Sequence, residues 1–353
     1  MFDLMTVRAS TGTYRVEIIE DTAARLASLA EAGVQVVCDA NVARLHPHVV
    51  GVVPAAQFIQ IEAVEASKTM ARVHLLLETL ADRQVRRNQQ IVAIGGGIVQ
   101  DLTAFAASVL YRGVEWVFFP TTLLAQADSC IGSKTSINLG PHKNLVGSFH
   151  PPAEVWLDTA FLETLSVDDI RSGLGEIMHY YLYAGSPLAN SMVVEYERLL
   201  TDRAALRPHI EASLSIKRDV IEADEFDRGE RNKFNYGHTF GHALETATQY
   251  AVNHGQAVTV GMDIANRISL DHGLLDSDEY EHLHKMLSIN LPAYDFSHIS
   301  IDGYLDALSA DKKNVDTGLT CILSEGPGKL VKRSLPMDAE LRKTIEGYFR
   351  ALA

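Results

Sequence analysis

Three cysteines, Cys38, Cys130 and Cys321, are all that the 353 residues contain, and they are scattered and odd in number. That pattern excludes a disulfide framework and points to a reducing compartment. Positive charge is also scarce. Lys and Arg number 31 against 45 Asp and Glu, a formal net charge of −14, which excludes a general binder of nucleic acid or anionic membrane. An anionic small-molecule substrate stays open, because a site can be locally basic. No apolar run approaches the roughly 18 residues that span a bilayer. The opening MFDLMTVRASTGTYRV lacks the basic start and apolar stretch of a signal peptide. Internal repeats and low-complexity tracts are missing as well. A soluble cytoplasmic protein is expected, with neither nucleic acid nor membrane as partner.

What is present reads as two domains, the default for this length. YRVEII (14–19), VQVVCD (34–39), QQIVAIGGG and VEWVFFP read as strands. Between them lie helical stretches: DTAARLASLAEAG with Asp21 as N-cap and Gly33 as C-cap, an amphipathic run over about 65–86, and QDLTAFAASVLY. Strand–helix alternation with unbroken apolar strands predicts a parallel sheet with helices on its faces. After about residue 165 helical periodicity dominates, and one late β-like piece, LTCILSEG (319–326), stands apart. The expectation is an α/β, Rossmann-like nucleotide-type domain over 1–165, a mostly α-helical domain over 166–353, and an active site between them.

The chemistry-bearing segments are few. FNYGHTFGHALET (234–246) sets His238 and His242 four apart, on one helix face, and His254 follows in NHGQAV. Two histidines at that spacing form half of a metal site, although surface or capping pairs are commoner. Glu176, in the apolar helix SGLGEIMHYYLY and three residues before His179, could complete a Glu plus two-His set with an open position. IVAIGGGIVQD (91–101) is a strand, a triple glycine and a helix start, suited to phosphate but lacking the spaced glycine fingerprint. Asp39 ends a buried strand, where it serves ribose hydroxyls or a helix cap. FPTTLLAQADSCIGSKTSINLGPHKNLVGSF (119–149) reads as a loop that sets Asp128, Lys134, Lys143 and Asn144 among small residues, suited to an oxyanion. Lys217, Arg231 and Asn235 precede the histidine pair. Asn235, three before His238, is expected near the same face, whereas Lys217 and Arg231 read equally as surface charges.

GGGIVQDLTAFAAS, YRGVEWVFFPTTLLAQADSCIGSKT, HKNLVGSFHPP, GLGEIMHY, FNYGHTFGHA and HGQAV, in this order and spacing, resemble the 3-dehydroquinate synthase family of sugar phosphate cyclases. The resemblance runs from about residue 14 to about 335. It implies the dehydroquinate synthase-like fold and a homodimer. It also implies an NAD- and Zn²⁺- (or Co²⁺-) dependent lyase that turns a phosphorylated seven-carbon sugar acid into a carbocycle with loss of phosphate. By position it implies the metal ligands Glu176, His238 and His254, and moves His242 to the substrate phosphate. On the cofactor side it implies Asp39, Glu65, Lys68, Gly96, Gly97, Asp101, Thr121, Thr122 and Thr164. On the substrate side it implies Asp128, Lys134, Lys143, Asn144, Lys217, Arg231, Asn235, His242 and one of Lys312 and Lys313. Arg112 is implied to reach the neighbouring subunit's phosphate site.

The chain departs from the family pattern at His179, which stands where the family carries a lysine toward the substrate's hydroxyl side. Two readings stay open: a replacement that keeps the same hydrogen bond, or a changed substrate such as an amino-substituted analogue. Gln100 and Ser133 stand at positions that are commonly glycine. Arg231 and Asn235 are retained, and Arg231 suits a substrate carboxylate. The resemblance therefore favours 3-deoxy-arabino-heptulosonate 7-phosphate as substrate and 3-dehydroquinate as product, in the shikimate route. The alternatives are an aminodehydroquinate synthase or sedoheptulose 7-phosphate cyclase of the same family, and an NAD- and metal-dependent polyol dehydrogenase.

Overall fold

A computed structural model describes residues 2–140, 142–310 and 318–353. Nine strands come first: β1 (Phe2–Ala9), β2 (Gly12–Ile18), β3 (Gln35–Asp39), β4 (Phe58–Ile61), β5 (Ile91–Gly95), β6 (Trp116–Pro120), β7 (Ile137–Leu139), β8 (His142–Val146) and β9 (Glu154–Leu157). Seven form one sheet in the order β1-β2-β9-β6-β5-β3-β4, while β7 and β8 pair separately. All neighbours in the large sheet run parallel except β1 and β2. The expected parallel sheet is therefore present, with an antiparallel edge that the sequence reading did not contain. The inner strands β5 and β6 are buried at every position, which is why they read as unbroken apolar runs. One core cluster joins Val36, Cys38, Val92, Ile94, Val117, Phe119 and Trp156 to Leu26 of the helix Thr22–Glu31. Asp21 caps that helix through a bond from Ala24 N. Its C-cap is Ala32, and Gly33 follows at φ +83°.

The chain divides into two compact units, Met1–Leu165 with Ile210–Glu225, and Ser166–His209 with Phe226–Ala353. Residues 210–225, which the sequence reading grouped with the helical half, thus fold with the first unit. They bury Ile210, Leu214, Val220 and Ile221 and make polar contacts within that unit: Glu222 pairs with Arg8 at 2.8 Å, Ser213 donates to Ala127 O, and Lys217 reaches Asp128.

Among the described residues, the regular structure of the second unit is helical apart from the hairpin β10 (Gly318–Ser324) and β11 (Leu330–Pro336). Helix Val167–Ala184 starts on a Ser166/Asp169 capping box and ends on left-handed Gly185. Helix His254–Asp271 is buried over most of its length. No described helix is long and apolar enough to cross a membrane. All three cysteines are free and buried. Burial pushes each thiol up to about 12, so they stay protonated and unreactive at neutral pH.

Candidate active site

In the second unit three helices meet through glycine. A Cβ on Gly175 would overlap the carbonyl oxygen of Gly255, and one on Gly255 would overlap that of Ser172. Gly241 and Gly261 pack the helix His238–Ala247 onto His254–Asp271 in the same way. Three of these glycines adjoin a candidate site residue: Gly175 precedes Glu176, Gly255 follows His254, and Gly241 precedes His242. Small residues let the backbones approach, and that approach sets the side chains together.

Glu176 is only 2% exposed. Its Oε1 lies 3.1 Å from His254 Nε2 and 3.4 Å from His238 Nε2. Both imidazoles are anchored from behind. His238 Nδ1 donates to Tyr236 O at 3.2 Å, and His254 Nδ1 to Glu245 Oε2 at 3.2 Å. With Nδ1 committed, each ring presents Nε2 toward the carboxylate, the arrangement that orients metal-binding histidines. Oε1 of Glu176 is buried without a hydrogen bond of ordinary geometry, a position a divalent cation would satisfy. One carboxylate and two imidazoles form the donor set of an open, catalytic-type Zn²⁺ site.

The electrostatics agree. Burial pushes the Glu176 carboxyl up, but His238 and His254 outweigh it and hold it well below the usual carboxylate range. Burial disfavours the His254 imidazolium, yet Glu245 and Glu176 raise its pKa to about 10. A cation entering at neutral pH therefore displaces a proton from His254.

A second triplet, His242, Glu245 and His254, also converges within 4.8 Å. The first set fits better, because Glu245 already fixes His254 from behind. His242 stacks on His254, ring centroids 5.6 Å apart, outside the Glu176 cluster. The rings of the i,i+4 pair touch, centroids 5.6 Å apart, but only His238 of the two belongs to the Glu176 triplet. Sequence reasoning missed Glu245, although its place at i+3 from His242 was a usable signal. Glu245→Gln is expected to weaken metal affinity roughly 10–100-fold with the fold intact. Competition against a chelator measures this, and unchanged affinity would remove Glu245 from the site.

Several expectations require correction. Asn235 does not share the helix face of His238. It ends the short turn Glu230–Asn235, and left-handed Gly237 at φ +78° separates that turn from the helix. His179 is 0% exposed and lies edge-on to His238 at 5.0 Å, with Nδ1 3.9 Å from Glu176 Oε2. It is buried against Glu176 and His238 rather than exposed on a surface. Arg231 is buried within the Glu230–Asn235 turn, not a surface charge. Lys312 and Lys313 lie outside the described residues.

The first unit holds a polar network. Lys68 Nζ lies 2.6 Å from Asp101 Oδ2 and donates to Asn144 Oδ1 at 2.6 Å. Lys143 Nζ lies 3.7 Å from Glu65 Oε1. Burial pushes the Asp101 carboxyl up, partly offset by Lys68 and Ser136. The helix Gly97–Val109 begins on Gly96 with no side-chain cap, so its first amides suit a diphosphate. A Cβ on Gly96 would approach Thr122 Cγ2 to 3.1 Å, and Thr121 N donates to Gly95 O. Asp39 serves as a cap, accepting from Asn41 N at 2.9 Å. Thr164 is exposed and bonds His46 at 2.9 Å. Arg112 is exposed, at φ +65° in the turn Leu110–Arg112.

The 119–149 segment is not a plain loop. It contains the π-helical turn Ala125–Ser129 and the β7–β8 hairpin, neither of which leaves an apolar periodicity to read. The π-turn carries Asp128, whose Oδ1 and carbonyl accept from the buried Lys217 Nζ at 2.8 and 2.7 Å. Gln100 ties the turn down, exchanging bonds of 2.6 Å with Ser129, so the residue at that commonly glycine position has structural work. Ser133 is buried and its carbonyl accepts from His150 N. Lys134 is exposed, and its backbone bridges to Phe149.

Known proteins match along the same lines. The 3-dehydroquinate synthase N-terminal family model covers residues 58–172, and the C-terminal model covers 173–314. A 3-dehydroquinate synthase of Ruegeria pomeroyi is 36% identical over 359 residues, spanning 96% of this chain and 97% of that protein. Another, from Xanthomonas campestris pv. campestris, is 40% identical over 278 residues, spanning 76% and 75%. Among solved structures, ValA, a 2-epi-5-epi-valiolone synthase from Streptomyces hygroscopicus with NAD⁺ and Zn²⁺ bound, superposes with a TM-score of 0.81. It is 26% identical, with 96% of each chain covered. Two family models that tile most of the chain, together with a relative 36% identical across 96% of it, show that it belongs to the 3-dehydroquinate synthase family.

Proposed function

We propose that this chain is a 3-dehydroquinate synthase, eliminating phosphate from 3-deoxy-arabino-heptulosonate 7-phosphate and closing the carbocycle. The carrying observation is the buried Glu176 carboxylate facing two imidazoles that are each anchored from behind, within a chain so similar to enzymes of that name. Glu176, His238 and His254 would hold a divalent ion, whose chemistry is Lewis-acid polarisation of a substrate hydroxyl. Glu65, Lys68, Gly96, Gly97, Asp101, Thr121, Thr122, Thr164 and the partly buried Asp39 would hold NAD⁺, whose chemistry is to accept a hydride and return it in the same turnover.

The chain's own residues supply the rest. His242, beside His254, holds the departing phosphate. Lys134, Lys143, Asn144 and Lys217 add the positive and polar groups that let an acidic protein bind a dianion. Asp128 fixes the Lys217 ammonium. Arg231, with Asn235, receives the carboxylate that a heptulosonate carries and a simple sugar phosphate lacks. His179 supports the ligands Glu176 and His238. Free, buried cysteines fit a cytoplasmic enzyme. A homodimer belongs to the same reading, supported by the exposed Val109 and Tyr111 beside Arg112.

The test is phosphate release by purified enzyme given NAD⁺ and Zn²⁺ or Co²⁺. Turnover is expected with the heptulosonate phosphate, at least tenfold faster in kcat/KM than with sedoheptulose 7-phosphate or the 4-amino analogue. Preference for either of those would replace the substrate assignment. Net NADH accumulation with glycerol-like substrates would replace the reaction class.

A further inference from the structure

We propose that Asn138 is a positioning residue that ties the β7–β8 hairpin to the Glu65–Lys68 turn, so that cofactor held at that turn orders Lys143 and Asn144 for the sugar phosphate. The inference rests on the cofactor and substrate sides proposed above. Asn138 reaches both with three hydrogen bonds. Its backbone N donates to Lys68 O at 2.9 Å. Its Nδ2 donates to Glu65 Oε1 at 2.8 Å. Its Oδ1 accepts from Asn144 N at 2.9 Å. Only this orientation of the amide serves both partners, since the reverse would set an oxygen against a carboxylate and an NH₂ against an N–H.

The restraint falls where the backbone needs it. Asn144 sits at φ +52°, in the left-handed region, a conformation that persists when its surroundings hold it. Asn138 Oδ1 satisfies its amide, and Lys68 Nζ grips its side chain at 2.6 Å. Lys68 in turn pairs with Asp101, which also accepts from Ser136 N at the base of the hairpin. Glu65, Lys68 and Asp101 on one side and Asn144 on the other thus share one hydrogen-bonded frame with Asn138 at its centre, to which Lys143 adds an ion pair with Glu65 at 3.7 Å. A ligand that steadies Glu65 and Lys68 steadies the hairpin through it, and by linkage the hairpin's ligand tightens the cofactor.

Hydrogen–deuterium exchange tests this with NAD⁺ alone. In the wild-type protein NAD⁺ is expected to slow exchange of the His142–Val146 amides about tenfold. In Asn138→Ala that protection falls below about twofold, while NAD⁺ affinity changes by less than about fivefold. Asn138→Asp keeps the acceptor for Asn144 N but opposes Glu65 with a like charge. It is expected to lose the NAD⁺ response as well, and it carries the test if the alanine variant does not fold. In steady state, Asn138→Ala raises KM for the sugar phosphate about tenfold with kcat within about threefold. The proposal is overturned if NAD⁺ leaves the wild-type hairpin unprotected, if the variants keep wild-type protection, or if they lose NAD⁺ binding outright. Failure of the functional reading shows separately, as absence of phosphate release by the wild type.

Discussion

Glu176→Ala is expected to strip the metal from the protein and to lower phosphate release by roughly 10³-fold or more, the several kcal/mol of charge stabilisation that a bound cation supplies. Glu176 is the only anion of the proposed triplet, and its Oε1 is the atom on which both Nε2 groups converge. Without it two neutral donors remain, and affinity falls accordingly. Glu176→Gln serves as the isosteric companion: it keeps the volume of a buried side chain while removing the charge. Both variants are checked by metal content after desalting and by the visible spectrum of the Co²⁺-loaded protein. Stoichiometric metal together with wild-type turnover in either would sink the assignment. The preceding glycine contact is untouched, so the fold should survive in both.

Gly255→Ala carries the second large effect, and here the fold is the target. Its added Cβ would overlap the carbonyl oxygen of Ser172, a backbone atom that cannot rotate away. Helices Val167–Ala184 and His254–Asp271 must then separate, at a cost of about 3 kcal/mol or more. For a unit of this size that is a fall in melting temperature of roughly 6–12 °C. The same separation draws His254 from Glu176, so metal affinity drops as well. Gly347→Ala is the control. It lies in the helix Ala339–Leu352 with nothing within 4 Å of the added atom, and it is expected to be neutral or to stabilise by up to about 1 kcal/mol. An unshifted midpoint for Gly255→Ala with metal retained would show that the helix contact yields more readily than its geometry indicates.

Much of the first unit was legible because burial leaves a signature. β3, β5 and β6 are buried on both faces and show unbroken β-branched and aromatic runs. Elements held by other means were silent. The β7–β8 hairpin is short, buries a single apolar residue of β7, Ile137, and is tied down by Asn138, Asp101 and Lys68. The π-turn at Ala125–Ser129 has no sequence period. The placement of 210–225 rests on contacts between segments far apart in sequence, such as Arg8–Glu222 across 214 positions, which no local pattern announces.

By itself the sequence determined the residue types and their local spacing: a parallel α/β half, a helical half, and His238 and His242 one helical turn apart, while the Glu176, His238 and His254 set was implied only by the resemblance to a known family. It could do so because helix and strand periods are local properties of the chain. Tertiary structure alone decided which atoms face each other. It put Glu245 on Nδ1 of His254, His179 against Glu176 and His238, and Asn138 between Glu65 and Asn144. Those assignments depend on how closely backbones approach and which way hydrogen bonds point, and both are set by contacts between distant segments: Gly175 on Gly255, Ser172 under Gly255, and Asn138 on Glu65.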